Sequence, residues 1–228
     1  MPTDEEESWR RGQPEYDLSR LTGDRVDYQK KTKLAAEADP VERAAFREVQ
    51  KRLSIERLVF IDEFASHIAM TRTRARSPKG FRAETVEPFN RGQNISTIAA
   101  MGLRGVCAPM TIEGAINTEV FDLYVEYMLV PVLQPGDNVL LDNVKFHYSG
   151  RAISLIEAAG AKVIHIPAYS PDFNPIEECI SKIKQILRSL KARTKRKLYN
   201  ALAKAIEKIT AQDILGWFKH CGYVFSLN

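Results

Sequence analysis

The sequence predicts an α/β fold, a mixed sheet flanked by helices on both faces. Two observations carry the prediction. Short β-favouring runs occur in a set order: a group that reads as antiparallel strands, then strands alternating with helices, then helices alone. The chain has 228 residues, 44% of them hydrophobic and 27% charged, which is enough for one substantial core. The expected organisation is a charged arm or linker over 1–37 and one domain over 38–228.

The arm is rich in charge and poor in large apolar residues, and it shows no strong periodicity. Asp39-Pro40-Val41-Glu42 then reads as a helix start, with Asp as cap and Pro at the first helical position. Val41, Ala45, Phe46, Val49 and Leu53 follow at helical spacing, so a one-sided helix of about four turns is expected. Leu58–Ile61 is a short buried strand ending at Asp62-Glu63. Extended stretches between Phe64 and Thr111, including His67–Thr71 and Asn94–Met101, are punctuated by Gly and Pro and read as antiparallel strands. Asn117 opens a helix through about Val130, and Gln134-Pro135-Gly136-Asp137 is a turn. Asn138–Leu141 is a second buried strand, ending at Asp142-Asn143. Ser149 caps a helix through Ala159, which Gly160 stops. A third strand, Lys162–Ile166, leads into the Pro-rich loop 167–175. Asn174-Pro175-Ile176-Glu177 then opens a long helix, and helical stretches continue to about Lys219.

Several functional classes are excluded early. The richest apolar run, Leu123–Leu133, is broken by Glu126 and Pro131 and is too short to span a bilayer. Cys107, Cys179 and Cys221 form no CxxC pair, which argues against a zinc knuckle or a disulfide framework. The acidic start lacks the plan of a signal peptide, so a cytoplasmic enzyme is expected. The net charge of +4 is unremarkable, but its placement is not. Between Cys179 and His220 stand eleven Lys/Arg against two acids, among them Lys182, Lys184, Arg188, Lys191, Arg193, Lys195, Arg196 and Lys197. Such a run is either a solvated helix face or a phosphate-binding surface, with equal weight on each reading.

The chemistry points to three acids. Asp62 and Asp142 each end a hydrophobic strand, where a rigid element fixes the direction of a side chain. Glu177 sits in the first turn of a helix after a strand and a stiff loop. If the strands are neighbours and the helix packs beside them, three carboxylates converge, and such a cluster needs a cation. Hard oxygen donors without a His or Cys pattern favour Mg²⁺ or Mn²⁺. Each acid also has a plainer reading. Either aspartate alone could cap a turn, and Glu177 could complete a capping box with Asn174. Glu63 and Glu178 are adjacent competitors, and His147 reads as a turn or loop residue.

Phe60-Ile61-Asp62-Glu63, Val139-Leu140-Leu141-Asp142-Asn143 and Tyr169-Ser170-Pro171-Asp172-Phe173-Asn174-Pro175-Ile176-Glu177-Glu178 together resemble the three signatures of the Tc/mariner superfamily of DDE transposases. Thirty-four residues lie between Asp142 and Glu177, as in the bacterial insertion-sequence branch, the six-thirty family. The likeness spans roughly 28–225. It implies a ribonuclease-H-like catalytic domain in which Asp62, Asp142 and Glu177 are the catalytic triad and hold two Mg²⁺ or Mn²⁺ ions. Asp62 would bridge both ions, and Asp142 and Glu177 would each bind one side. The implied activity is metal-dependent cleavage and strand transfer on double-stranded DNA. The substrates would be element ends and targets, with TA sites, acted on by a homodimer on DNA. Family members carry a helix-turn-helix that reads inverted repeats. Residues 1–37 hold no such helix pair, so that module is expected to be encoded separately or missing from this copy. Two other classes share these residues: a catalytically silent DNA-binding protein derived from a transposase, and a hydrolytic nuclease of the same fold.

Overall fold

Val, Ile, Leu and Phe in five short runs pair into one mixed sheet in a computed structural model that describes residues 35–223. The strands are β1 (Leu58–Ser66), β2 (Ile95–Gly102), β3 (Gly105–Glu113), β4 (Asn138–Leu141) and β5 (Lys162–His165), in the order β3-β2-β1-β4-β5. β1 to β3 form an antiparallel meander, whereas β4 runs parallel to β1 and β5 parallel to β4. The meander, the alternating section and the helical end fall in the predicted order. The arm expected over 1–37 lies almost wholly outside the described residues.

Side chains alternate across β1 and divide the core. Leu58, Phe60 and Phe64 face one apolar layer built from α1 (Pro40–Gln50), α4 (Ile176–Leu190), α5 (Lys195–Glu207) and α6 (Ala211–His220). Val59 and Ile61 face the other, built from α2 (Thr118–Tyr124), its continuation to Val132 and α3 (Gly150–Ala158). Phe60 is fully buried, edge-on to Phe218 at 5.3 Å and to Tyr223 at 5.2 Å between ring centroids. Burying such a side chain contributes about 1.5–3 kcal/mol. Asp137, also without exposure, precedes β4 and is held by Arg104 at 2.6 Å and by the Gln134 amide at 2.9 Å.

The local signals are realised at most helix ends. Asp39 Oδ1 accepts from the Val41 amide at 2.7 Å, Ser149 Oγ from Ala152, and Gly160 takes a left-handed φ of 79°. Four expectations need correction. The first strand does not end at Asp62-Glu63 but runs on to Ser66, because β2 continues to pair with it as far as Ser66 opposite Ile95, so Asp62 stands mid-strand. The first helix stops at Gln50, about three turns long rather than four. The helix from Thr118 is α only to Tyr124. It widens to a π turn over Val125–Leu129 and tightens to a 3₁₀ turn at Val130–Val132, where Pro131 has no amide hydrogen to continue the pattern. His67–Thr71 is not a strand, and 67–94 is an irregular connection. Pro78 and Pro88 cannot donate to a ladder, Gly80 and Gly92 take left-handed φ, and six Lys/Arg between Arg72 and Arg91 favour solvent.

Candidate active site

Parallel pairing sets Leu58 opposite Asn138, Val59 opposite Val139 and Phe60 opposite Leu140. Continued by two residues, this register brings Asp62 level with Asp142. Asp62 shares the β1 face of Phe60 and Phe64, against which α4 packs, and is only 7% exposed. Its Oδ1 accepts from the Glu63 amide at 2.8 Å and its Oδ2 from Asn174 Nδ2 at 3.3 Å. Burial, then the charges of Glu177, Glu63 and Asp142, push the Asp62 carboxyl well above the usual carboxylate range. Both other predicted acids are thus near enough to Asp62 for their charges to act on it, at the level where β1 leaves its pairing with β4.

The loop before Glu177 is fastened on every side. Tyr169 takes a left-handed φ of 55°, and Pro171–Phe173 make one 3₁₀ turn. Asp172 accepts two hydrogen bonds from Arg43, at 2.9 and 2.7 Å, and Arg43 also lies over the Phe173 ring at 4.5 Å. Phe173 packs on Phe46 at 5.0 Å, and Tyr223 donates to the Phe173 carbonyl at 2.9 Å. Asn174 turns its amide to Asp62 and leaves α4 without a side-chain cap, so the capping-box reading of Glu177 is not realised. Glu178 pairs with His220 at 2.6 Å. Glu177 instead lines a cleft of about 660 Å³ together with Asp142, Asn143, Tyr169 and Asn174.

Asp142 stands just beyond β4. Its Oδ1 accepts from the Val144 amide at 3.3 Å and meets His147 Nδ1 at 2.5 Å. His147 does sit on a turn, Lys145–Tyr148, as the sequence suggests, yet it is 0% exposed and packs beside Phe121 and Phe146. Its Nε2 lies 3.7 Å from Glu63 Oε2. Sequence reasoning missed this contact. The only hint was an ionisable residue set between two aromatics, Phe146 and Tyr148.

The acids fit a hard divalent cation. All donors are carboxylate oxygens, one of them buried and resistant to ionising, and the buried Asn174 Oδ1 has no protein partner. Among the described residues, no three His, Cys, Asp or Glu side chains stand close enough to chelate an ion as they are disposed. Asp142 and Glu177 carry their carboxylates on rotatable side chains at the cleft wall.

The eight basic residues singled out in the sequence do not share one environment. Lys182 is bound to Asp213, Arg193 donates to the carbonyls of Ile68 and Met70, and Lys195 pairs with Glu113 at 2.7 Å. Lys184 lies over the Phe64 ring at 5.8 Å. Arg188, Lys191, Arg196 and Lys197 form no ion pair among the described residues, and no helix there is long and apolar enough to cross a membrane.

The sequence pattern of the family described as DDE superfamily endonuclease matches residues 57–199. No curated protein matches the chain. Among solved structures, the Mos1 strand transfer complex superposes with a TM-score of 0.64 at 17% identity, covering 86% of this chain and 63% of that one. The Mos1 paired-end complex with the left transposon end gives 0.66 at 13% identity, over 89% and 64%. The catalytic domain of Mos1 mariner transposase gives 0.64 at 13% identity, over 86% of this chain and 94% of that domain. The chain thus spans just under two thirds of the longer Mos1 chains and nearly all of the catalytic domain, whose ribonuclease-H-like fold it shares. Asp62 in the middle of β1, Asp142 just beyond β4 and Glu177 at the start of α4 all lie inside the matched segment, and the chain belongs to the DDE superfamily of endonucleases.

Proposed function

We propose that this domain is the catalytic domain of a DNA transposase, which cleaves phosphodiesters at element ends and joins the freed 3′ ends to target DNA. The observation that carries the reading is geometric: the β1–β4 register brings Asp62 level with Asp142, and Asp142 and Glu177 line one cleft, in a chain of this endonuclease family. Asp62, Asp142 and Glu177 would hold two Mg²⁺ or Mn²⁺ ions. Mos1 transposase structures containing Mg and Mn support the choice of metal. Bound there, such ions supply Lewis-acid activation of the attacking hydroxyl and stabilisation of the leaving oxygen.

The chain's own residues do the rest. Asn174 orients Asp62, the Arg43–Asp172 tie fixes the approach of Glu177, and the cleft between Asn143 and Tyr169 admits the scissile phosphate. Arg188, Lys191, Arg196 and Lys197, with Lys182, Lys184, Arg193 and Lys195 beside them, would line the path of double-stranded DNA. Paired-end and strand transfer complexes of Mos1 support action by a homodimer on DNA. Membership of the bacterial six-thirty branch and insertion at TA sites rest on the sequence motifs.

The test is Asp142→Asn, assayed for Mg²⁺-dependent nicking and for strand transfer of a pre-cut end. The amide keeps the shape and loses the charge, so both activities should vanish while folding and DNA affinity persist. Near-parental nicking would remove Asp142 from the site. In the parent, nicking without any strand transfer would mark a hydrolytic nuclease.

A further inference from the structure

We propose that His147 is a positioning residue that fixes the metal-facing orientation of Asp142, with Glu63 bracing the far edge of its ring; the inference rests on the metal-binding reading of Asp142. Asp142 lies one residue past β4, whose last ladder pair is Leu141 with His165, so no strand pairing holds its side chain. His147 supplies that hold. A carboxylate only accepts, so the 2.5 Å contact puts the Nδ1 hydrogen on Asp142 Oδ1. The Val144 amide reaches the same oxygen at 3.3 Å. With Oδ1 occupied twice, Oδ2 is left for the cleft that Asp142 lines.

The other edge of the ring explains Glu63. Asp62 and Glu63 are consecutive on β1, so they point to opposite faces of the sheet. Asp62 faces α4 and Glu177. Glu63 faces the layer that contains Phe121, where His147 is buried at ring-centroid distances of 4.7 Å from Phe121 and 4.5 Å from Phe146. Glu63 Oε2 and His147 Nε2 are both buried, form no hydrogen bond, and face each other across 3.7 Å. Glu63 is the acid beside Asp62 that sequence reasoning could not separate from a ligand. Its position assigns it to the imidazole, not to the ion. Through His147, Glu63 in the middle of β1 is set beside Asp142 just beyond β4, at the level where the two catalytic aspartates must stay in register. Metal-binding groups are commonly oriented by such outer partners, and losing one costs about 10–100-fold in metal affinity.

The experiment uses the whole chain and Mn²⁺ alone as probe, read by calorimetry and by the loss of the free-ion electron paramagnetic resonance signal. His147→Phe keeps the aromatic volume and removes both nitrogens, whereas His147→Asn places an amide donor near the Nδ1 position. The Phe variant should bind Mn²⁺ about 10–100-fold more weakly. The Asn variant should recover to within about threefold of the parent, and Glu63→Gln, which keeps an acceptor, should lose less than the Phe variant. In cleavage assays the half-saturating Mn²⁺ concentration of the Phe variant should rise, with the rate largely restored at saturation. A residue that only fills the core would lower the rate at every concentration. If the Phe variant does not fold, His147→Gln takes its place, since its amide reaches the Nε2 position instead. Weak binding by Gln with tight binding by Asn supports the assignment, and equal affinities overturn it. Asp142→Asn abolishing Mn²⁺ binding while the His147 variants bind like the parent would sink this inference and leave the metal site standing. A parent chain that binds no Mn²⁺ even with cleavable DNA present removes both.

Discussion

Arg43→Met separates the structural acid of the 169–178 motif from its chemical one. Arg43 is 5% exposed and gives two hydrogen bonds to Asp172, at 2.9 and 2.7 Å, while stacking over Phe173. A hydrogen bond to a charged group contributes about 1.5–3 kcal/mol when well buried. The Asp172 side chain is 40% exposed, so solvent screening reduces the pair to about 2 kcal/mol rather than the sum of two such bonds. Losing the cation over the ring adds about 0.5–1 kcal/mol, and Met retains the apolar stem. The total of about 2–3 kcal/mol corresponds to a fall in Tm of about 5–10 °C for a domain of this size. Calorimetry at pH 7 on the parent, Arg43→Met, Asp172→Asn and the double variant measures it, with a coupling of at least about 1 kcal/mol expected. The Arg43 guanidinium holds the Asp172 carboxyl below the usual carboxylate range. Its contribution is therefore complete above the unfolded value of about 4 and fades as pH falls through the lower folded value. The gap between parent and variant should narrow below about pH 4. A Tm change under about 2 °C, or a gap constant down to pH 3, would refute the reasoning.

Three further outcomes follow from the site. Glu177→Gln should abolish cleavage, whereas Glu178→Gln, which loosens a contact with the exposed His220, should leave at least about half the rate, as single-turnover kinetics would register; equal loss would undo the separation of the two acids. The Asp62 carboxyl is raised by burial and neighbouring acids, so its neutral form favours the fold at low pH and that contribution is lost as pH rises through the raised value. Asp62→Asn should therefore raise the metal-free Tm at pH 8 by about 2–4 °C and should gain less than the parent from Mg²⁺, a reversal that scanning fluorimetry detects. Neutralising Arg196 and Lys197 together should flatten the salt dependence of DNA affinity by up to about two units across unrelated sequences, and an unchanged slope would mark them as a solvated helix face.

Much of the site was readable before any coordinates. The apolar runs that lead into Asp62 and Asp142 are short and strongly apolar, and the strand period is local information, although β1 continues past Asp62 to Ser66. Asn174 was readable only as a cap, because three residues to Glu177 is a capping distance. Its actual partner, Asp62, lies 112 residues away and is reached only because α4 packs against β1. The basic run shows the same limit. Its charge was countable, but which members meet Asp213, Glu113 or the Ile68 carbonyl depends on where the helices lie. The irregular 67–94 connection was misread because alternating residues suggest a strand whether or not an edge is free to receive it.

By itself the sequence determined the order of strands and helices, the apolar faces, the caps at Asp39 and Ser149, and three acids carried on or beside rigid elements. Those features depend on backbone geometry and burial within a few residues of one another, and such information is written contiguously. Only the tertiary structure decided that Glu178 is bound to His220 while Glu177 faces the cleft, that Arg43 fastens the motif loop across 129 residues, and that a buried His147 grips Asp142 and faces Glu63. These are meetings of side chains set by strand register and by the docking of α1 and α4. A one-residue shift in that register would turn Asp62 and Glu63, the strand residues among them, each to the opposite face of the sheet.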